Sequence, residues 1–134
     1  MRFRIKKNND GSAYAIVVFG VMDDAAGCDI LQVAQTMLNR PLCTELMIDF
    51  RSAQLREDFS VFNTDTLTSV FEEVLLKKDS ILIIRYHNDL EIRFSSDQLP
   101  LQPLSAMTRK RLEEAKFFSK VMRWLDQEAR FMIN

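Results

Sequence analysis

The stretch Glu45-Leu46-Met47-Ile48-Asp49-Phe50-Arg51-Ser52 ends a short apolar run in an acid, an aromatic and a base. Side chains two residues apart on a strand point to the same face, so Asp49 and Arg51 can pair there. At an exposed sheet rim such a pair is a modest structural contact. At the C-terminal edge of a parallel sheet it stands where α/β proteins gather their ligands. Asp23 follows another apolar run and is a candidate for the same edge. An enzyme built on these strand ends would use Asp49, Arg51 and Asp23. The same residues also serve a ligand or partner site without chemistry.

No other catalytic set accompanies them. His87 is the single histidine and falls in a turn-forming context, where a solvated residue is expected rather than a base. One histidine with no cysteine near it in sequence does not make a zinc site. The three glycines, Gly11, Gly20 and Gly27, are scattered and lack phosphate-loop spacing. No serine stands in a Gly-x-Ser-x-Gly elbow. The acid pairs Asp23-Asp24 and Glu57-Asp58 read as helix capping and solvation rather than metal ligation. No catalytic, cofactor or metal residue is assigned. Thr64, in the capping cluster Asn63-Thr64-Asp65-Thr66, is the candidate modification site, because a helix N-terminus welcomes a phosphate. Cys28 and Cys43 are expected as reduced, buried thiols.

These residues must be positioned by alternating strands and helices. Arg2 to Lys6 alternates with period two, with Phe3 and Ile5 inward, and Asp10-Gly11 supplies a tight hairpin. Tyr14 to Val21 is apolar throughout, as for a strand covered on both faces. Ile30, Val33, Ala34, Met37 and Leu38 predict a helix over 24–39, stopped by Pro41. Glu45 to Phe50 is the next strand, and 52–63 reads as irregular and polar. Leu67, Val70, Phe71, Val74 and Leu75 predict a helix over 64–77. Ile81 to Ile84 fits a strand buried on both faces, and Leu90, Ile92 and Phe94 an edge strand after a turn at His87-Asn88-Asp89. Residues 95–106, with two prolines, read as an arm to a long final helix over 105–132. Ala115, Phe118, Met122, Leu125, Ala129 and Met132 make one apolar set on that helix. Phe117, Val121, Trp124 and Phe131 make a second beside it. Together they span an arc of roughly 200°, wider than the usual core-facing stripe. Either the helix is wedged between the sheet and the proline-containing arm, or one flank meets another chain, in which case the second set is the candidate interface.

The 134 residues suit one domain, and a chain this long buries roughly two-thirds of its unfolded surface without disulfide or metal. Net charge is −1; the part from Met107 onward carries +3 and the rest −4. That asymmetry lacks the clustered basic footprint of a nucleic-acid binder. No apolar run approaches the ~18 residues of a membrane span, and no signal peptide is evident, so a cytoplasmic location is expected.

The order strand, strand, helix, strand, helix, strand, strand, helix, with the string Leu46-Met47-Ile48-Asp49-Phe50-Arg51 between two amphipathic helices, resembles STAS-like domains, the relatives of anti-sigma-factor antagonists. The likeness covers about 2–86. It implies a bacterial regulatory domain and, in outline, also touches lipid-transfer domains. Two departures stand out. Antagonists carry a phosphorylatable serine followed by Ser-Gly where this chain has Asn63-Thr64-Asp65-Thr66. The family also places a helix between its late strands, where this chain turns directly into Leu90 to Phe94. The expected fold is thus α/β, a mixed, mostly parallel sheet of about five strands with two packed helices and a long C-terminal helix, in one domain over 1–134. The expected function is a non-enzymatic regulatory or interaction domain with a protein partner or a homodimer. A small apolar-ligand or lipid-binding module, given seven Met and ten Phe, and an enzyme at Asp49 and Arg51 are the alternatives.

Overall fold

A computed structural model describes residues 1–98, 110–118 and 121, without the side chains of Thr64 and Gln98. Strands β1 (Arg2–Lys7) and β2 (Ala13–Met22) form the first hairpin. Its turn uses Gly11 at φ 75°, a conformation that glycine adopts without strain. The Asp10 carboxylate accepts from the Ser12 backbone at 3.0 Å and from its hydroxyl at 2.7 Å. Helix α1 (Asp24–Leu38) follows, then β3 (Glu45–Asp49), β4 (Ala53–Leu55), α2 (Thr64–Lys77), β5 (Ile81–Arg85) and β6 (Glu91–Ser95). Asn88 and Asp89 turn β5 into β6 at φ 61° and 57°, left-handed values that Asn and Asp tolerate better than most residues.

The sheet order is β1-β2-β3-β5-β6, with β4 paired to β2. The β2–β3, β2–β4 and β3–β5 pairs are parallel, and the two hairpins are antiparallel. This is the expected mixed α/β sheet. The helical crossovers are what permit the parallel pairs.

One face of the sheet carries the core. Ile16, Val18, Leu46, Ile48, Leu82 and Ile84 are buried there with Ile30, Leu31, Ala34 and Leu38 of α1 and Leu67, Phe71, Val74 and Leu75 of α2. Burying each of these side chains other than Ala34 contributes on the order of 1.5–3 kcal/mol, which outweighs any surface ion pair. The opposite parity, Ala15, Val17 and Phe19 of β2, is only half-buried. The apolar run of β2 is therefore not covered on both faces as expected. On β5, Ile83 is buried but Ile81 is exposed.

Four further expectations are corrected. Phe3 and Ile5 lie on the core side of the sheet, opposite Val18 and Ile16, but remain 41% and 40% exposed because the edge strand runs beyond the cover of α1. Cys28 is exposed; Gly27, not Cys28, begins the buried stripe of α1. Cys43 is buried, its S–H 3.5 Å from the Glu45 carbonyl. The segment after Arg51 is not wholly irregular, since Ala53–Leu55 forms β4. Of the arm expected over 95–106, Ser95 closes β6 and Ser96–Gln98 form a 3-10 turn. The remainder lies outside the described residues, as do 105–109 and most of the final helix beyond 118. Residues 110–118 are helical, as expected, and form α3.

Candidate functional site

The C-terminal ends of β2, β3 and β5 converge on the edge where Asp23, Asp49 and Tyr86 stand. A tight turn shapes this edge, closed by the Ala53 N–H donating to the Phe50 carbonyl at 3.0 Å. Val17 pairs with Asp49 and Gly20 with Ala53, so residues 50–52 face only Val18 and Phe19. Two consecutive residues leading into this turn are buried, Asp49 at 6% and Phe50 at 0% exposure. The Phe50 N–H donates to the Arg85 carbonyl at 2.8 Å, which keeps the interrupted strand attached to β5.

Phe50 fills the space beyond the strand ends. Its ring centroid lies 5.1 Å from Phe62, 5.9 Å from Phe59 and 5.6 Å from Tyr86. The first two contacts are edge-on and the third is stacked, arrangements that the ring quadrupole favours. Burial pushes the Tyr86 phenol well above its ordinary range, and with Phe50, Phe59 and Phe62 it forms an aromatic cluster at the strand ends.

The Asp49 carboxylate is fully engaged. Its Oδ1 accepts from the Arg51 backbone at 2.9 Å and from Nε at 3.1 Å, and its Oδ2 from Nη2 at 2.8 Å. Burial works to raise this carboxyl, but the Arg51 hydrogen bonds and charge, with Arg85 adding, hold it below its usual value. A carboxylate so held is a weak proton acceptor. Asp23 is spent as the N-cap of α1, accepting from the Ala26 N–H at 2.9 Å. Asp49, Arg51 and Asp23 thus bind the chain to itself: one closed pair and one helix cap.

Two other residues at this edge have partners that their sequence context did not indicate. Asp24 reaches across to the loop after β4, accepting from the Ser60 and Val61 N–H groups at 2.8 and 2.9 Å and from the Ser60 hydroxyl at 3.0 Å. The Ser60 and Val61 backbone bonds hold its carboxyl low, and the Lys116 charge adds to this. His87 was expected in solvent. It is instead half-buried, with Nε2 2.9 Å from the Ala53 carbonyl, so Nε2 carries the hydrogen and donates. The tandem acids Asp23-Asp24 held the available signal: a single N-cap needs only one of them, leaving the second for another bond.

Helix α3 closes this end. Ala115 is fully buried, and Leu112 packs against the core. Arg111 Nη2 donates to the Asn88 carbonyl at 3.3 Å, and the Phe118 ring lies 5.5 Å from His87. Glu57, Glu113, Lys116 and Phe117 line a shallow groove between α3 and the loop after β4. Phe117 is 67% and Phe118 41% exposed. Val121 is half-buried, while Trp124 and Phe131 lie outside the described residues. Thr64 is the first residue of α2, behind the cap in which Asn63 accepts from the Thr66 N–H at 2.9 Å. Among the described residues no His, Cys, Asp and Glu side chains group as a metal site, and no helix is long and apolar enough to cross a membrane.

No family model and no curated protein matches the chain. Among solved structures it is similar to the anti-sigma factor antagonist SpoIIAA in its unphosphorylated form, a protein of the class that the element order resembles. The match has 16% identity and a TM-score of 0.42, and covers 60% of this chain and 71% of that one.

Proposed function

We propose that the chain is a non-enzymatic interaction domain of regulatory type that meets a second copy of itself across the outward flank of α3. The observation that carries this is Phe117, 67% exposed on a helix whose inward face is already seated through the fully buried Ala115. Two residues on a helix are separated by roughly 200°, so Phe117 faces away from the core as Ala115 faces into it. Val121, Trp124 and Phe131 follow Phe117 at spacings of four, seven and fourteen residues, the repeat of one helical flank. On the helix that the sequence predicts over 105–132 these residues would share one apolar flank, which marks an interaction site rather than a scattered surface residue. The strand-end acids favour the same reading, because Asp49 and Asp23 already have intramolecular partners. Light scattering over a dilution series tests it. Mass should rise with concentration, and Phe117→Asp should abolish the rise; a monomer at every concentration contradicts self-association.

A further inference from the structure

We propose that the outer edge of β1 is a docking strand for an extended segment of another protein in which acidic and apolar residues alternate. β1 ends the sheet, and all six of its residues are exposed. Among the described residues, no segment other than β2 pairs with it. Such an edge offers a row of free backbone donors and acceptors, the basis of strand addition.

The register sorts its side chains by face. Arg2, Arg4 and Lys6 stand opposite Phe19, Val17 and Ala15, on the side away from α1. Phe3 and Ile5 stand on the α1 side, where they line a groove with Val33 and Met37. One face of the edge is therefore basic and the other apolar. Among the described residues, Arg2, Arg4 and Lys6 form no ion pair. Arg4 lies with its guanidinium carbon 5.6 Å from the Phe19 ring centroid, so its charge is held on that face.

Charged edge strands commonly serve only to repel other strands. That role does not account for Phe3 and Ile5, which stay 41% and 40% exposed beside an apolar groove. A second copy is a poor occupant. Antiparallel β1–β1 pairing keeps bases beside bases on one face, and like charges across a ladder destabilise it. An incoming strand with acids on one face meets Arg2, Arg4 and Lys6. Its apolar residues, on the other face, cover Phe3 and Ile5. Main-chain bonds to the free edge supply the rest.

The inference stands apart from α3, and its test separates the two. The probe is a labelled, end-blocked hexapeptide alternating glutamate with valine, titrated with the full chain by fluorescence anisotropy. Saturable binding is expected, weakening as salt screens the charges. Arg4→Glu should weaken it at least tenfold and Ile5→Ser severalfold, with circular dichroism verifying that both variants fold. Phe117→Asp should leave it unchanged. A peptide N-methylated at the residues that bond to the edge should not bind. Absent saturable binding to the native chain, equal binding of a lysine-for-glutamate peptide, or undiminished binding of the N-methylated peptide each overturns the proposal.

Discussion

Replacing Gly27 by Ala sets two effects of opposite sign against each other. Gly27 lies in the first half of α1, and alanine in a helix interior is favoured over glycine by about 1 kcal/mol. On propensity alone the variant is more stable. The packing says otherwise. A Cβ at Gly27 meets a Phe59 ring carbon at 2.9 Å and collides with Val61 Cγ1. Neither neighbour retreats easily. Phe59 is 3% exposed and wedged against Phe50 and Phe62, with centroids at 5.9 and 5.6 Å. Val61 is tied through its N–H to Asp24 at 2.9 Å. Overpacking a tight site costs about 1–3 kcal/mol, so the net change is destabilising by roughly 1 kcal/mol. With a urea slope of about 2 kcal/mol/M, the midpoint should fall by about half a molar. Limited proteolysis should also show faster cleavage in the loop at 56–62. A midpoint that rises would refute the reasoning, because it would show that the loop does not press on α1.

Phe50→Ala removes the ring on which Phe59, Phe62 and Tyr86 converge, and should cost about 3–5 kcal/mol in urea unfolding, with near-native fold at low denaturant. Asp49→Asn should cost about 1–2 kcal/mol, since the Arg51 side chain is 48% exposed and solvent screens part of the pair. The Asp49 carboxyl is held low in the folded chain, so its stabilisation is complete above its unfolded value of about 3.9 and is lost as pH falls through the lower folded value. Acid unfolding of the Asn variant should therefore be less steep below about pH 4, and an unchanged acid profile would count against the pair. Ellman's reagent should label Cys28 promptly in the folded chain and Cys43 only on unfolding, since burial pushes the Cys43 thiol up and hides it.

Much of the fold was legible because its elements are long and periodic. The spacing of Leu67, Phe71, Val74 and Leu75 marks α2, and Asn63 caps it through the Thr66 N–H. Pro41 and the Asp10-Gly11 and Asn88-Asp89 turns punctuate the rest. The misses share a cause: they depend on what neighbours do. β4 is three residues long and follows a tight turn, so its own sequence carries no period. The run Ala15, Val17 and Phe19 is as apolar as a doubly covered strand, yet only the register shows which side the helices take. Asp49 with Arg51 was legible as a pair from its spacing. That Asp24 would cross 36 residues to hold Ser60 was not, because such a bond appears only once the loop lies against α1.

The central claim, that the outward flank of α3 joins two copies of the chain, is tested most directly by sedimentation equilibrium on the native chain and Phe117→Asp side by side. The account predicts a monomer–dimer equilibrium for the native chain and a monomer for the variant at the same concentrations, with equal thermal stability. A native chain that stays monomeric, or a variant that dimerises as well as the native chain, would contradict it.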